Sequence, residues 1–175
     1  MKPYVLITGW GRSGKDEAGA FLHCHCNVPY CSSTSWAALP LMATYLKLPQ
    51  QLAWETRHEN RQLWKDVCDQ FRAGDPLVLI RRALRLPGRV VTGIRDKSEI
   101  QAAVECKIFD RILWVDRPGT PVDPTVTFGP EYATDIVKND GTLRQFHLNL
   151  YRLALDKLGG EPNVTEYAKS LHKDL

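Results

Sequence analysis

The chain has no apolar run approaching the roughly 20 residues that a membrane-spanning helix needs. Its first residues, MKPYVLITG, turn polar too soon to serve as a signal peptide. The expected setting is therefore the cytoplasm, with no membrane partner. Cysteine is scarce and odd in number: five, at Cys24, Cys26, Cys31, Cys68 and Cys106. Without an export signal, that argues for reduced thiols and against a disulfide framework. No charge of one sign dominates. Lys and Arg number 23 against 20 Asp and Glu, for a net charge of +3. That balance gives no case for a nucleic-acid partner, though it suits a chain whose ligands are phosphates. There is no internal repeat, low-complexity segment or linker, so the 175 residues read as one domain. Two catalytic motifs are also missing, an HRD-type loop and a G-x-S-x-G elbow.

What is present alternates between strand and helix. Residues 3–8 (PYVLIT) form a short β-rich apolar run ending in glycine, which predicts a buried strand. Helical spacing follows over 14–26, with Ala18, Phe21 and Leu22 on one face. Residues 27–34 read as extended. Ser35 to Leu46 reads as a helix that Pro40 should kink or interrupt. Residues 51–72 form an amphipathic helix with Leu63, Val67 and Phe71 inward, ended by Ala73-Gly74-Asp75-Pro76. Asp75 then caps another helix, with Pro76 in its first position. Strands are expected at 89–94, 111–116 and 134–138, with a helix from Ser98 to Cys106 and a long loop at 117–131. Thr142 to Leu158 is a helix with Leu143, Phe146, Leu150, Leu153 and Leu158 on one face, and a last helix lies near 163–172. The alternation predicts an α/β fold with a parallel sheet of about five strands, flanked by helices in three layers.

The sharpest motif is G-x-x-x-x-G-K at Gly9 to Lys15, set between the first strand and the first helix. Chemistry there follows from geometry. Glycines let successive backbone N–H groups turn inward into an anion-binding nest. The helix N-terminus adds its positive dipole end, and Lys15 would neutralise the outer phosphates. The motif thus predicts a P-loop NTPase fold that binds a nucleoside triphosphate. Asp16 stands where most such loops carry Ser or Thr, and a carboxylate there is a candidate magnesium ligand.

The longer string G-x-x-R-S-G-K-D resembles the bacteriophage deoxynucleoside monophosphate kinases and, more distantly, the phosphomevalonate kinases of animals. SWAALPLM (35–42), VVTGIRDKSEI (90–100), ILWVDRPG (112–119) and DIVKNDGTLRQF (135–146) carry the likeness across most of the chain. Two positions depart from it: Gly93 stands where related enzymes often have Asp, and of the lid's polar residues only Glu131 remains, in FGPEY. The resemblance implies a magnesium-dependent transfer of the γ-phosphoryl of ATP to a nucleoside monophosphate, with an acceptor-binding helical part at about 35–88 and a lid at about 117–131. A homodimer is a possible assembly. The rival expectations are a kinase of a non-nucleotide phosphate such as phosphomevalonate, and a nucleotide-binding module without catalysis.

Candidate residues follow from what phosphoryl transfer requires, which is positioning and charge neutralisation. The donor site draws on Gly11, Arg12, Ser13, Gly14, Lys15, Asp16 and Glu17. Asn139, in the Asn139-Asp140-Gly141 turn, would border the adenine by the resemblance. Arginines grip a phosphate bidentately, and the candidates for the acceptor are Arg57, Arg61, Arg82 and Arg95. Arg95 is best placed, at the carboxyl end of a predicted central strand. Asp96 is a candidate for magnesium or the sugar, with a helix cap as its other reading. Arg117 opens the long loop and would reach the transferred group, so Lys15, Arg95 and Arg117 form the catalytic set. His23, Cys24, His25, Cys26 and Cys31 have the ligand types for zinc but not the paired spacing. Trp36, Trp54, Trp64 and Trp114 read as core or pocket walls.

Overall fold

The computed structural model describes residues 3–86 and 88–160. Strand β1, Val5–Thr8, is buried at all four positions. Its alternating side chains serve two cores. Val5 and Ile7 pack with Phe21, Leu22, Phe146 and Leu150, while Leu6 packs with Ile80, Ile100 and Trp114. A strand covered on both faces needs a continuous apolar run, which is what PYVLIT supplies.

Helix α1, Lys15–Cys26, buries Ala18, Phe21 and Leu22 as its spacing predicts. Strand β2, Tyr30–Ser33, leads into helix α2, Thr34–Leu46, whose cap is Ser33, accepting from Trp36 N at 3.1 Å. Pro40 does not interrupt this helix. The buried stripe Ala37, Ala38, Leu39 and Met42 holds it by tertiary packing, which outweighs the lost hydrogen bond.

The expected single helix over 51–72 is divided. Helix α3 is Gln50–Glu55, a single 3-10 turn covers Thr56–His58, and helix α4 is Arg61–Arg72. Side chains cause the break by competing for the backbone. Thr56 Oγ1 donates to the Leu52 carbonyl at 2.8 Å, and Asn60 Nδ2 to the Thr56 carbonyl at 3.0 Å. Helix α5, Val78–Ala83, begins later than Asp75-Pro76 implies, with Leu77 at its cap position. Asp75 instead forms a turn ahead of it, accepting from Leu77 N at 3.0 Å and holding Arg81 at 2.6 Å.

Strand β3 is Val90–Thr92, helix α6 Lys97–Glu105, strand β4 Arg111–Asp116, strand β5 Asp135–Lys138 and helix α7 Leu143–Lys157. The sheet runs β2-β3-β1-β4-β5 and every pairing is parallel. The β3-β1-β4-β5 part keeps regular register, and β2 joins the β3 edge with a shift between Tyr30 and Ser33. The fold is therefore α/β, a parallel sheet flanked by helices. Helices α2 to α5 build a third core around Leu39, Met42, Trp64 and Leu79. On α7, Phe146, Leu150 and Leu158 face inward as expected and Leu153 is partly buried, but Leu143 on the first turn is exposed. The helix expected near 163–172 lies outside the described residues.

Candidate functional site

Three strand ends and one loop define the site. Between β1 and α1 the backbone reverses over Gly9 to Gly14. Gly9 (φ +146°) and Gly14 (φ +100°) take positive φ, and so does Arg12, at φ 64°. The turn is braced from two sides. Ser13 N donates to the Trp10 carbonyl at 3.2 Å, and Asn139 Nδ2 donates to the Ser13 carbonyl at 2.8 Å. Asn139, just beyond β5, thus holds the loop itself.

Lys15 is buried, and among the described residues its Nζ makes one long bond, 3.3 Å to the Trp10 carbonyl. Burial lowers its pKa, opposed by the charges of Asp16 and Asp123 and reinforced by Arg95 and Arg61. The Ser13 hydroxyl is buried with no hydrogen-bond partner among the described residues. A buried cation and an idle hydroxyl in one concave turn fit an anionic ligand. Asp16 and Glu17 are exposed on the first turn of α1. Glu17 lies 2.8 Å from His147 Nε2, so it is engaged with α7.

Beside the turn lies a cavity of about 150 Å³. Of the residues expected to bind an acceptor, Arg57, Arg61, Arg95 and Asp96 all line it, although they come from two separate segments. Arg82 does not. It lines a separate groove with Trp36 and Pro40, and its Nε donates to the Ala37 carbonyl at 3.3 Å. The break between α3 and α4 brings Arg57, His58 and Arg61 to the cavity wall. Arg57 is fixed there by Trp54, with its guanidinium 3.8 Å from the ring centroid and Nη1 donating to the Trp54 carbonyl at 2.9 Å. Burial lowers its pKa, with the charge of Asp16 opposing the shift and Arg61 adding to it.

Arg95 follows β3 and meets the segment that was expected to be a lid. Its Nη1 donates to Asp123 Oδ2 at 2.9 Å and also to Thr125 Oγ1. Its carbonyl accepts from Thr127 N at 2.8 Å. Val126 and Phe128 are buried in the core. The second half of 117–131 is therefore stitched to the body, and the continuously exposed part is confined to its first residues. Burial pushes the Asp123 carboxyl up, but its bonds to Thr125 and Arg95 prevail and hold it below the usual carboxylate range. Asp123 also crowds the loop, since a Cβ on Gly11 would lie 2.6 Å from Asp123 Oδ2. Arg117 reaches back to the same turn, its Nη1 3.5 Å from the Arg12 carbonyl. Arg12 is itself exposed.

Asp96 caps α6, accepting from Ser98 N at 2.9 Å and Glu99 N at 3.4 Å. Burial raises its carboxyl, yet those bonds win and its pKa is lowered. It caps and lines the cavity at once.

Sequence reading missed Lys65, Arg72, Asp123 and Glu99. The i,i+3 pair Asp69–Arg72 and the i,i+4 pair Lys65–Asp69 were legible on α4. The Arg72–Glu99 pair spans 27 residues and the Arg95–Asp123 pair 28, and no local pattern announces either. Trp64, read as core or pocket wall, is both buried and cavity-lining, and Trp114 is core. Among the described residues no group of three or more His, Cys, Asp and Glu could hold a metal ion. Cys26 is buried, which pushes its thiol up to about 11. Among the described residues no helix is long and apolar enough to cross a membrane. No protein-family model matches the chain, and no curated protein matches it significantly.

Proposed function

We propose that the chain is an ATP-dependent nucleoside monophosphate kinase with a P-loop at Gly9 to Asp16, acting on a deoxynucleotide acceptor. The observation that carries the reading is the contiguity of two anion-binding features. A braced glycine turn with a buried lysine neighbours a cavity lined by Arg57, Arg61 and Arg95, and Asp123 links the two, bonded to Arg95 on one side and packed against Gly11 on the other. A protein that transfers a phosphoryl group between two phosphates needs two such features side by side.

Each residue then has a part. The backbone of the turn and Lys15 hold the donor's outer phosphates. Arg57 and Arg61 take the acceptor phosphate, and Arg95 lies between the two. The acceptor is already an anion near neutral pH, because its second pKa is about 6, so no general base is needed. An acceptor oxygen attacks the γ-phosphorus, the bond to the β–γ bridging oxygen breaks, and that oxygen leaves with ADP. Lys15, Arg95 and Arg117 are the groups able to neutralise charge as it shifts. Magnesium, when bound, neutralises the donor phosphates, and Asp16 is the residue that would hold it, directly or through water. One carboxylate suffices, since this ion commonly takes its other ligands from water and phosphate.

A coupled assay of purified protein with ATP, magnesium and a panel of monophosphates, phosphomevalonate included, tests the reading. Turnover on at least one nucleoside monophosphate is expected, and none on any of them would end it. For Asp16→Ala the expected result is a rise of roughly tenfold in the magnesium concentration needed for half-maximal rate. An unchanged magnesium titration and rate would remove Asp16 from the metal site.

A further inference from the structure

The cavity has a second charged end. Arg61 is the first residue of α4 and Arg72 the last, which puts roughly 16 Å of helix axis between them. Arg72 belongs to a different set, coupled to Glu99, Asp69 and Cys68, with its charge also felt by Asp96. It is the last residue of α4, lines the cavity, and has a side chain only 11% exposed. Two carboxylates fix it: Nη1 donates to Glu99 Oε2 at 3.0 Å and Nη2 to Asp69.

Glu99 is the unusual partner. It lies on α6 with no solvent exposure at all, next to the core residue Ile100. Only one of its oxygens is used, and Oε1 has no hydrogen-bond partner among the described residues. A buried carboxylate with half its acceptor capacity idle is an expensive way to fill a core position, and an apolar side chain would do so at less cost. What the carboxylate does supply is a guanidinium held still in the cavity wall.

We propose that Glu99 is a positioning residue that aims Arg72 at the part of the acceptor remote from its phosphate, and that the ionisation of Glu99 sets acceptor affinity. The proposal rests on the kinase reading and identifies Arg72 as a substrate contact. The target is a hydrogen-bond acceptor on the nucleoside, since a guanidinium offers only donors. The groups facing Glu99 are Arg72, Asp69 and Cys68 from α4 and Asp96 from the cap of α6. Burial raises the Glu99 carboxyl to about 7, against the pull of Arg72 and with Asp96 and Asp69 pushing the same way as burial. Above that pH the carboxylate is ionised and grips Arg72. Below it the grip weakens, and Arg72 is left to the more exposed Asp69. Acceptor binding should therefore weaken as pH falls through 7.

The test is the dissociation constant of wild type, Glu99→Gln and Arg72→Lys, measured between pH 6 and 8.5 by tryptophan fluorescence. Trp54 and Trp64 stand at the cavity as reporters. Each protein is titrated with a panel of deoxynucleoside monophosphates and, separately, with inorganic phosphate. Inorganic phosphate reports whether the phosphate subsite survives each substitution, and Glu99→Gln with the same nucleotide reports the titration of the acceptor phosphate. Wild type should bind its best nucleotide about tenfold more tightly at pH 8 than at pH 6, beyond any change seen with Glu99→Gln. Glu99→Gln, nearly isosteric, should lose that extra dependence and fall short of wild type at pH 8. Arg72→Lys keeps the charge but not the fork, so it should bind nucleotide weakly at every pH and inorganic phosphate normally. The proposal is overturned if Glu99→Gln keeps the wild-type profile, or if both variants lose inorganic phosphate and nucleotide equally. Failure of wild type to bind any monophosphate would instead strike the kinase reading beneath it.

Discussion

Replacing Lys15 with methionine should lower kcat by about 10²–10³-fold, the loss typical when one preorganised charge-stabilising group is removed, while leaving the fold intact. The two halves of this expectation have separate grounds. Lys15 is buried, and desolvation already weighs against its charge. Among the described residues its side chain makes one hydrogen bond, a 3.3 Å contact to the Trp10 carbonyl, so little structural hydrogen bonding is lost with it. Methionine has a similar shape and fills the same space without the burial penalty. Stability should therefore change by less than about 1 kcal/mol, or rise. Catalysis loses a cation set amid Asp16, Asp123, Arg95 and Arg61, where the exchanging phosphates would meet. Steady-state kinetics in the coupled assay together with thermal denaturation check both halves. A variant within fivefold of wild type would place the donor somewhere other than this turn, and one that melts far earlier would make Lys15 a structural residue.

Much of this arrangement was legible because local rules and global fold agree. The run PYVLIT, the glycine turn and the Ala18-Phe21-Leu22 face each point to strand, loop and helix, and all three occur there. Asp96 and Thr142 cap helices as their types suggest, accepting from Ser98 N and from Gln145 N. Three of the four expected acceptor arginines line one cavity, since the carboxyl end of a central strand and a charged helix face tend to point into such a cleft. Arg82 fails because a basic run on a six-residue helix has no preferred direction until packing assigns one. The break at Thr56 to Asn60 was hidden for another reason. Its cause is two side-chain bonds back to the helix, while the apolar spacing on either side continues unbroken. Glu99 and Asp123 were hidden because pairing across almost 30 residues is a product of the fold. Their sequence neighbours look like any exposed helix turn or polar loop, and only burial reveals that each is held for its arginine.

Gly9→Ala should cost about 2–6 kcal/mol, the sum of two independent penalties. The first is conformational. Gly9 sits at φ +146°, where an L side chain is strained by about 1–3 kcal/mol. The second is steric. A Cβ there would lie 2.6 Å from the Val115 carbonyl oxygen and 2.7 Å from Ser13 Oγ. The serine can turn away, but the carbonyl belongs to β4 at the middle of the sheet, where Leu113 to Asp116 pair with β5 on one side and Leu113 and Trp114 pair with β1 on the other. That strand cannot retreat without disturbing two ladders, so the loop must lift instead, at an overpacking cost of about 1–3 kcal/mol. A domain with a total stability of about 5–15 kcal/mol survives such a loss in most cases, so the variant should fold and melt roughly 5–20 °C earlier. Gly74→Ala is the matched control. Nothing lies within 4 Å of its Cβ and its φ is not positive, so it should shift stability by no more than about 0.5 kcal/mol. The two penalties have different consequences for function. Strain alone would weaken the fold and spare nucleotide affinity in the folded fraction. Lifting the loop moves Ser13 and the backbone that leads to Lys15, so ATP affinity should fall along with the melting temperature. Measuring both on Gly9→Ala decides between them, and a variant with lowered melting temperature but wild-type ATP affinity would mean that the turn at Gly9 supports the sheet and does not shape the phosphate cradle.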